Sequence, residues 1–213
     1  NIAPFANSFP DLVSLDASNN YINEVNPMIS PNVTSLNLDR QTIEDIVDLH
    51  LSDFTQGLLA EKIPSVLLYN HQQQSYNAPL YLFCSAGNDW SIILAYQNGQ
   101  VSIPYVSEQN AYKGESGDIL EAEVVDSNGY SKGTSLKLSL SFDEGDANFN
   151  GSIDILDLQA TLNYMFEEYN NRPFNFTAAD LWQDEQINVQ DAVCMVNLLM
   201  EETPVESESA APM

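Results

Sequence analysis

The chain has 213 residues, with 31 Asp and Glu against 6 Lys and Arg, a formal net charge of −25. A surface so acidic repels phosphate backbones and anionic lipid, which argues against nucleic-acid or membrane-surface binding and leaves calcium and basic protein patches as natural partners. The hydrophobic content of 44% is enough for packed cores, no apolar run approaches the ~20 residues of a membrane span, and Cys84 and Cys194 lie too far apart to suggest a disulfide framework.

The first pattern along the chain is an internal repeat. In "LVSLDASNNYI", Leu12, Leu15, Ala17, Asn20 and Ile22 follow the order L-x-x-L-x-L-x-x-N-x-L, and in "VTSLNLDRQTI", Val33, Leu36, Leu38, Gln41 and Ile43 repeat it 21 residues later. This spacing resembles leucine-rich repeats, in which each unit contributes one short strand and stacks its apolar residues on its neighbours. Two units do not bury such a core alone, so residues 1–45 are expected to be the end of a longer array. A third match projected to Phe54, Gly57 and Leu59 is poor, which places the end of the array near residue 45.

Residues 46–142 change to short apolar or alternating runs between turn residues: "LHLSDF", "SVLLYN", "PLYLFC", "SIILAYQ", "VSIPYV", "ILEAEVV" and "SLKLSLSF". Seven such runs predict an antiparallel β-sandwich, and the last two with their connection resemble the closing strands of an immunoglobulin-like surface domain. Asn98-Gly99 and Ser127-Asn128-Gly129 are tight-turn signals. Leu136, Leu138 and Leu140 alternate with polar residues, implying one buried and one wet face.

The chemistry-bearing part is residues 143–201. In "DANFNGSIDILD" oxygen-bearing side chains recur at alternate positions, followed by a Gly and a terminal carboxylate. Calcium takes six to eight hard oxygen ligands, which a 12-residue loop supplies from positions 1, 3, 5, 7, 9 and 12. These are Asp146, Asn148, Asn150, Ser152 through its carbonyl, Asp154 directly or through water, and Asp157, with Gly151 at the sharp turn of position 6. A second copy, "DLWQDEQINVQD", places Asp180, Asp184, Gln186, Asn188 and Asp191 at positions 1, 5, 7, 9 and 12. There Trp182 stands where an oxygen ligand is expected and Glu185 where Gly is preferred, and both changes should weaken the site. A helix is predicted after each loop, over "ILDLQATLNYMF" and "VQDAVCMVNLLM".

A terminal Asp in place of Glu, a strand before the first loop and duplicated loop-helix units together resemble the type I dockerin family, whose members bind calcium and dock onto cohesin modules in cellulosome-like, polysaccharide-degrading assemblies. The resemblance implies that partner-facing residues are Ile155, Leu156, Leu162 and Asn163 in the first copy, and Val189, Gln190, Val196 and Asn197 in the second. It also implies a bacterial protein that is secreted or displayed at the cell surface.

Enzyme chemistry has little support in the residues. His50 reads as a strand residue and His71 as a loop residue, and neither has a nucleophile or acid beside it in a recognisable motif. The fold expected is therefore multi-domain and mainly β, with a leucine-rich-repeat-like segment (1–45), an immunoglobulin-like sandwich (46–142), a small α-helical calcium module (143–201) and a disordered tail (202–213). The function expected is non-catalytic docking to a protein partner. The alternatives are a surface adhesin, binding a carbohydrate or surface ligand through its N-terminal region with the calcium loops as internal staples, and a non-catalytic part of a larger enzyme.

Overall fold

The computed structural model describes residues 11–25, 33–53, 62–74, 78–86, 90–98, 100–106, 111–168 and 172–202. Of the expected tail (202–213), Glu202 ends the last helix and residues 203–213 lie outside the described residues.

The two repeat copies form short strands, β1 (Ser14–Asp16) and β2 (Ser35–Asn37), which pair in parallel with Leu15 opposite Leu36. Their register is the 21-residue offset of the sequence pattern. The correspondence extends to the turns, because Asn19 and Arg40, also 21 apart, both adopt left-handed backbone, at φ 54° and 57°. Gln41, at the Asn position of the second copy, is fully buried. Its Nε2 donates to the carbonyls of Ala17, Leu38 and Asp39, and its Oε1 accepts from the Ile22 amide. One buried side chain thus ties backbone groups of both copies together.

The second copy runs directly into β3 (Thr42–His50), so this strand crosses residue 45, and Val25, Leu38 and Ile43 share one core with the strands that follow. Those strands are β4 (Leu80–Ala86), β5 (Trp90–Gln97), β6 (Gln100–Val106), a short β7 (Ala111–Tyr112), β8 (Asp118–Val125) and β9 (Ser131–Ser141). Five of these and β3 hydrogen-bond in the order β3-β9-β8-β4-β5-β6, with β3 parallel to β9 and every other pair in this sheet antiparallel. Six of the described strands therefore make one sheet, where the run spacing predicted the two stacked sheets of a sandwich. The reason is that β3 pairs with β9 in parallel and joins the same ladder.

The period-2 pattern decides the faces. Leu136, Ala122, Cys84, Ile92 and Val106 lie opposite one another across five strands and are all buried, whereas the next row, Ser135, Glu123, Phe83, Ile93 and Tyr105, points the other way. Burial pushes the Cys84 thiol up to about 12, so it is an inert core residue, and Cys194, half-buried, is also unpaired.

The run "SVLLYN" is not a strand. It opens helix α1 (Ser65–Gln74), and Ile63, Val66 and Leu67 pack into the sheet's core. Their spacing is that of a helical face, and Pro64 begins the turn by accepting from the Leu67 amide. His71, expected in a loop, is in the last turn of this helix, where its Nε2 meets the Ala78 carbonyl. The turn readings hold where they are described: Asn98 has φ 53° between β5 and β6, and Gly129 has φ 80° in a turn where Asp126 accepts from the Asn128 and Tyr130 amides.

The C-terminal module contains α2 (Ile155–Met165), β10 (Phe174–Asn175), a short α3 (Phe176–Ala179) and α4 (Val189–Glu202). Its own core gathers Ala147, Phe174, Ala179 and Met195, with Leu158, Ile153, Ile187 and Leu199 packed against them. The two helices match the predicted positions. None of the described helices is long and apolar enough to cross a membrane.

Candidate metal centre

Each loop is held open by its own carboxylates. In the first loop, Asp146 accepts from the Asn150 and Gly151 amides at 3.0 Å each. Asp157 accepts from the Asn148 amide at 3.1 Å and the Asp154 amide at 2.8 Å. Asn148, Asn150 and Asp154 each accept from an amide two residues on. These Asx turns coil the backbone tightly and leave each acceptor oxygen with lone-pair capacity beyond its amide partner. Asp154 also caps α2, in a reciprocal capping box with Asp157.

The second loop repeats this 34 residues later. Asp180 accepts from the Asp184 amide at 3.1 Å and the Glu185 amide at 2.8 Å, and Asp191 accepts from the Trp182 and Asn188 amides at 2.9 Å each. Asp184 and Asn188 accept from the Gln186 and Gln190 amides. Left-handed backbone falls at the same two places in each loop, Phe149 (62°) and Gly151 (75°) in one, Gln183 (57°) and Glu185 (61°) in the other. Glu185 therefore accepts the strained conformation that Gly151 adopts freely, at a cost of about 1–2 kcal/mol. The carboxylate oxygens of Asp180, Asp184 and Asp191 converge within 4.8 Å of one another. Trp182 contributes no side-chain ligand, and its ring is exposed. The sequence pattern marks the first loop as the more complete, whereas a converging group of three carboxylates is described in the second.

Electrostatics favour a cation in the first loop. Asp146 and Asp157 are both almost completely buried. Burial, and then the charge of Asp157, push the Asp146 carboxyl up to about 7, while burial raises Asp157 to about 6 against the amides that stabilise its ionised form. Buried carboxylates with no cationic side chain against them among the described residues fit a divalent ion chemically, and the hard all-oxygen donor set fits calcium.

The residues expected to face a partner are distributed unevenly. Ile155, Leu156, Val189, Gln190, Val196 and Asn197 are exposed, and Leu162 and Asn163 are half-buried. Along α4, Ala192 is buried and Leu199 half-buried, and Met195 takes the inward place between them while Val196 faces outward. Two residues that sequence reasoning missed extend the outward face. Val189, Val193, Val196 and Met200 are 65, 55, 39 and 69% exposed, an apolar stripe at i, i+4, i+7 and i+11 along α4. The spacing was visible in the sequence, but a stripe of this kind reads equally well as core.

His50 ends β3, its Nδ1 2.8 Å from Ser52 Oγ and its Nε2 3.6 Å from the Asp143 carboxylate. The Ser52 amide also donates to Nδ1, so the histidine closes a local turn and ties the strand to the segment that leads into the first loop.

Residues 144–200 match the family model of the dockerin type I domain. No curated protein and no solved structure matches the chain.

Proposed function

We propose that this is a non-catalytic, exported, modular protein whose C-terminal module binds calcium and docks onto a cohesin-type partner on a scaffold or cell surface. The observation that carries the reading is the duplication: two loops with the same amide-to-carboxylate bonds 34 residues apart, in a segment that matches the dockerin type I family. Bound calcium supplies the positive charge that offsets repulsion among the loop carboxylates. Asp146, Asn148, Asn150, Asp154 and Asp157, with the Ser152 carbonyl, would hold it in the first loop. Asp180, Asp184, Asn188 and Asp191, with Gln186, would do so in the second. By fixing the starts of α2 and α4, the loops hold out Ile155 and Leu156 on one copy and Val189, Val193 and Val196 on the other as apolar contacts for the buried centre of an interface. We read residues 1–45 as a leucine-rich-repeat-like segment that this module attaches to its support.

The test is capture of a cohesin panel by the intact chain with calcium and with chelator. Calcium-dependent binding to at least one member is expected, and no calcium-dependent partner would remove the docking assignment. The adhesin alternative, in which the calcium loops act only as internal staples, requires Leu162 and Val196 to be hidden. Leu162 is half-buried, but the exposure of Val196 counts against it.

A further inference from the structure

The two loops are near-copies, yet their surroundings differ. In the first, the ligand-bearing odd positions Asp146, Asn148 and Asn150 alternate with Ala147, Phe149 and Gly151, and all three even positions face protein. Ala147 is fully buried beside Ala111 of β7. Phe149 belongs to the core of the sheet domain, and its ring stands edge-on to Tyr112 at 5.7 Å, with Phe142 on Tyr112 at 5.8 Å. Gly151 lies against the Leu51 carbonyl so closely that a Cβ would come within 2.1 Å of the oxygen. A backbone ladder reinforces the joint, since β10 of the module pairs in parallel with β7, and the Asn175 amide donates to the Ala147 carbonyl. In the second loop the same even positions are Leu181, half-buried, and Gln183 and Glu185, both exposed.

We propose that Phe149 and Gly151 are positioning residues for the first loop, and that the sheet domain, by gripping them, makes that loop the tighter and slower-exchanging of the two calcium sites and an obligatory clasp between domains. The inference rests on the calcium reading given above. The physical argument is pre-organisation. A ligand that must order a loose loop loses part of its binding free energy to that ordering, and a loop whose alternate residues are already fixed loses less. Coupling of this kind is reciprocal: whatever factor the sheet adds to calcium affinity, calcium adds to the docking of the module on the sheet. The second loop lacks this support: Asp184 and Gln186 are exposed, Asp180 and Asn188 are half-buried, and Asp191 is the buried ligand. It is the exchangeable site, able to respond to calcium level while the first holds the two domains together.

The experiment is a calorimetric titration of the intact chain with calcium alone, in two backgrounds. Asp180→Ala leaves the first loop to be read, and Asp146→Ala leaves the second. Adding Phe149→Leu, which keeps an apolar side chain but loses the ring contact with Tyr112, is expected to weaken binding tenfold or more in the first background and by less than twofold in the second. Hydrogen exchange at the amides of β7 and β10 supplies a readout independent of affinity. Chelation should speed it in the Asp180→Ala chain and leave it unchanged in the Asp146→Ala chain. An unchanged first-loop affinity, or equal weakening of both loops, overturns the proposal. If the unmodified chain takes up no calcium at all, the metal reading itself fails and the clasp with it. Tyr112→Leu, which removes the same ring contact from the sheet side and leaves the loop's own residues unaltered, should reproduce the Phe149→Leu result, and failure to do so also overturns the proposal.

Discussion

Gly151 meets the carbonyl of Leu51 across the joint between the sheet and the first loop with no room for even one methyl group, and its φ of 75° lies in the left-handed region. Strain and collision therefore act together at a single residue. Gly151→Ala should destabilise the chain by about 3 kcal/mol or more, well beyond the ~1–2 kcal/mol of a left-handed alanine alone, because the contact is with backbone that has nowhere to retreat. Glu185→Ala, at the matching position of the open loop, should be neutral or nearly so. Chemical denaturation of the two variants under chelating conditions distinguishes them.

Calcium binding should depend on pH with a definite sign. Asp146 and Asp157 have folded-state values of about 7 and about 6, above the 3.8 of an ordinary aspartate. A raised carboxyl value means the folded, ion-free protein holds protons more tightly than the unfolded chain, so the ion-free fold gains stability as pH falls from about 7 towards 4 and loses it as the groups ionise. Binding calcium requires both groups deprotonated, so affinity at the first loop should fall at least tenfold between pH 8 and pH 5, with protons released on binding at pH 6. Titrations in buffers of different ionisation enthalpy measure that release.

The second loop should bind calcium and be improvable. Its carboxylates converge as a site requires, but Trp182 leaves position 3 without a side-chain oxygen. Trp182→Asn restores a donor of the type Asn148 provides and should tighten this site several-fold without altering the first. A titration in the Asp146→Ala background reads it directly, and no change would mean that the ring's place in the loop is not available to a ligand.

On α4, Val193→Asp combined with Val196→Asp places two charges in the centre of the exposed apolar stripe. Both side chains already face solvent, so the melting temperature should move little. Capture of a calcium-dependent partner should fall a hundredfold or more, as removal of central apolar anchors does. Surface plasmon resonance against whichever partner the intact chain captures provides the measurement.

Much of the local structure was determined by the sequence alone, because it depends on short-range rules. The 21-residue offset specified how Leu15 would face Leu36, and the alternation of Leu136, Leu138 and Leu140 specified the buried face of β9. The loop spacing located Asp146, Asp157, Asp180 and Asp191 at the positions where each now collects two amides. Period, turn chemistry and ligand spacing are properties of a few consecutive residues. The tertiary structure decided what depends on contacts far apart in the chain. "SVLLYN" had the composition of a strand, but Val66 and Leu67 found their core from a helix, and β3 joined β9 in one sheet in place of a second layer. It also separated two loops that look alike on paper. Nothing between Asp146 and Asp157 announces that Phe149 will stand against Tyr112, or Gly151 beneath Leu51. Those neighbours are distant in sequence, and only the packed chain brings them to one loop and leaves the other open.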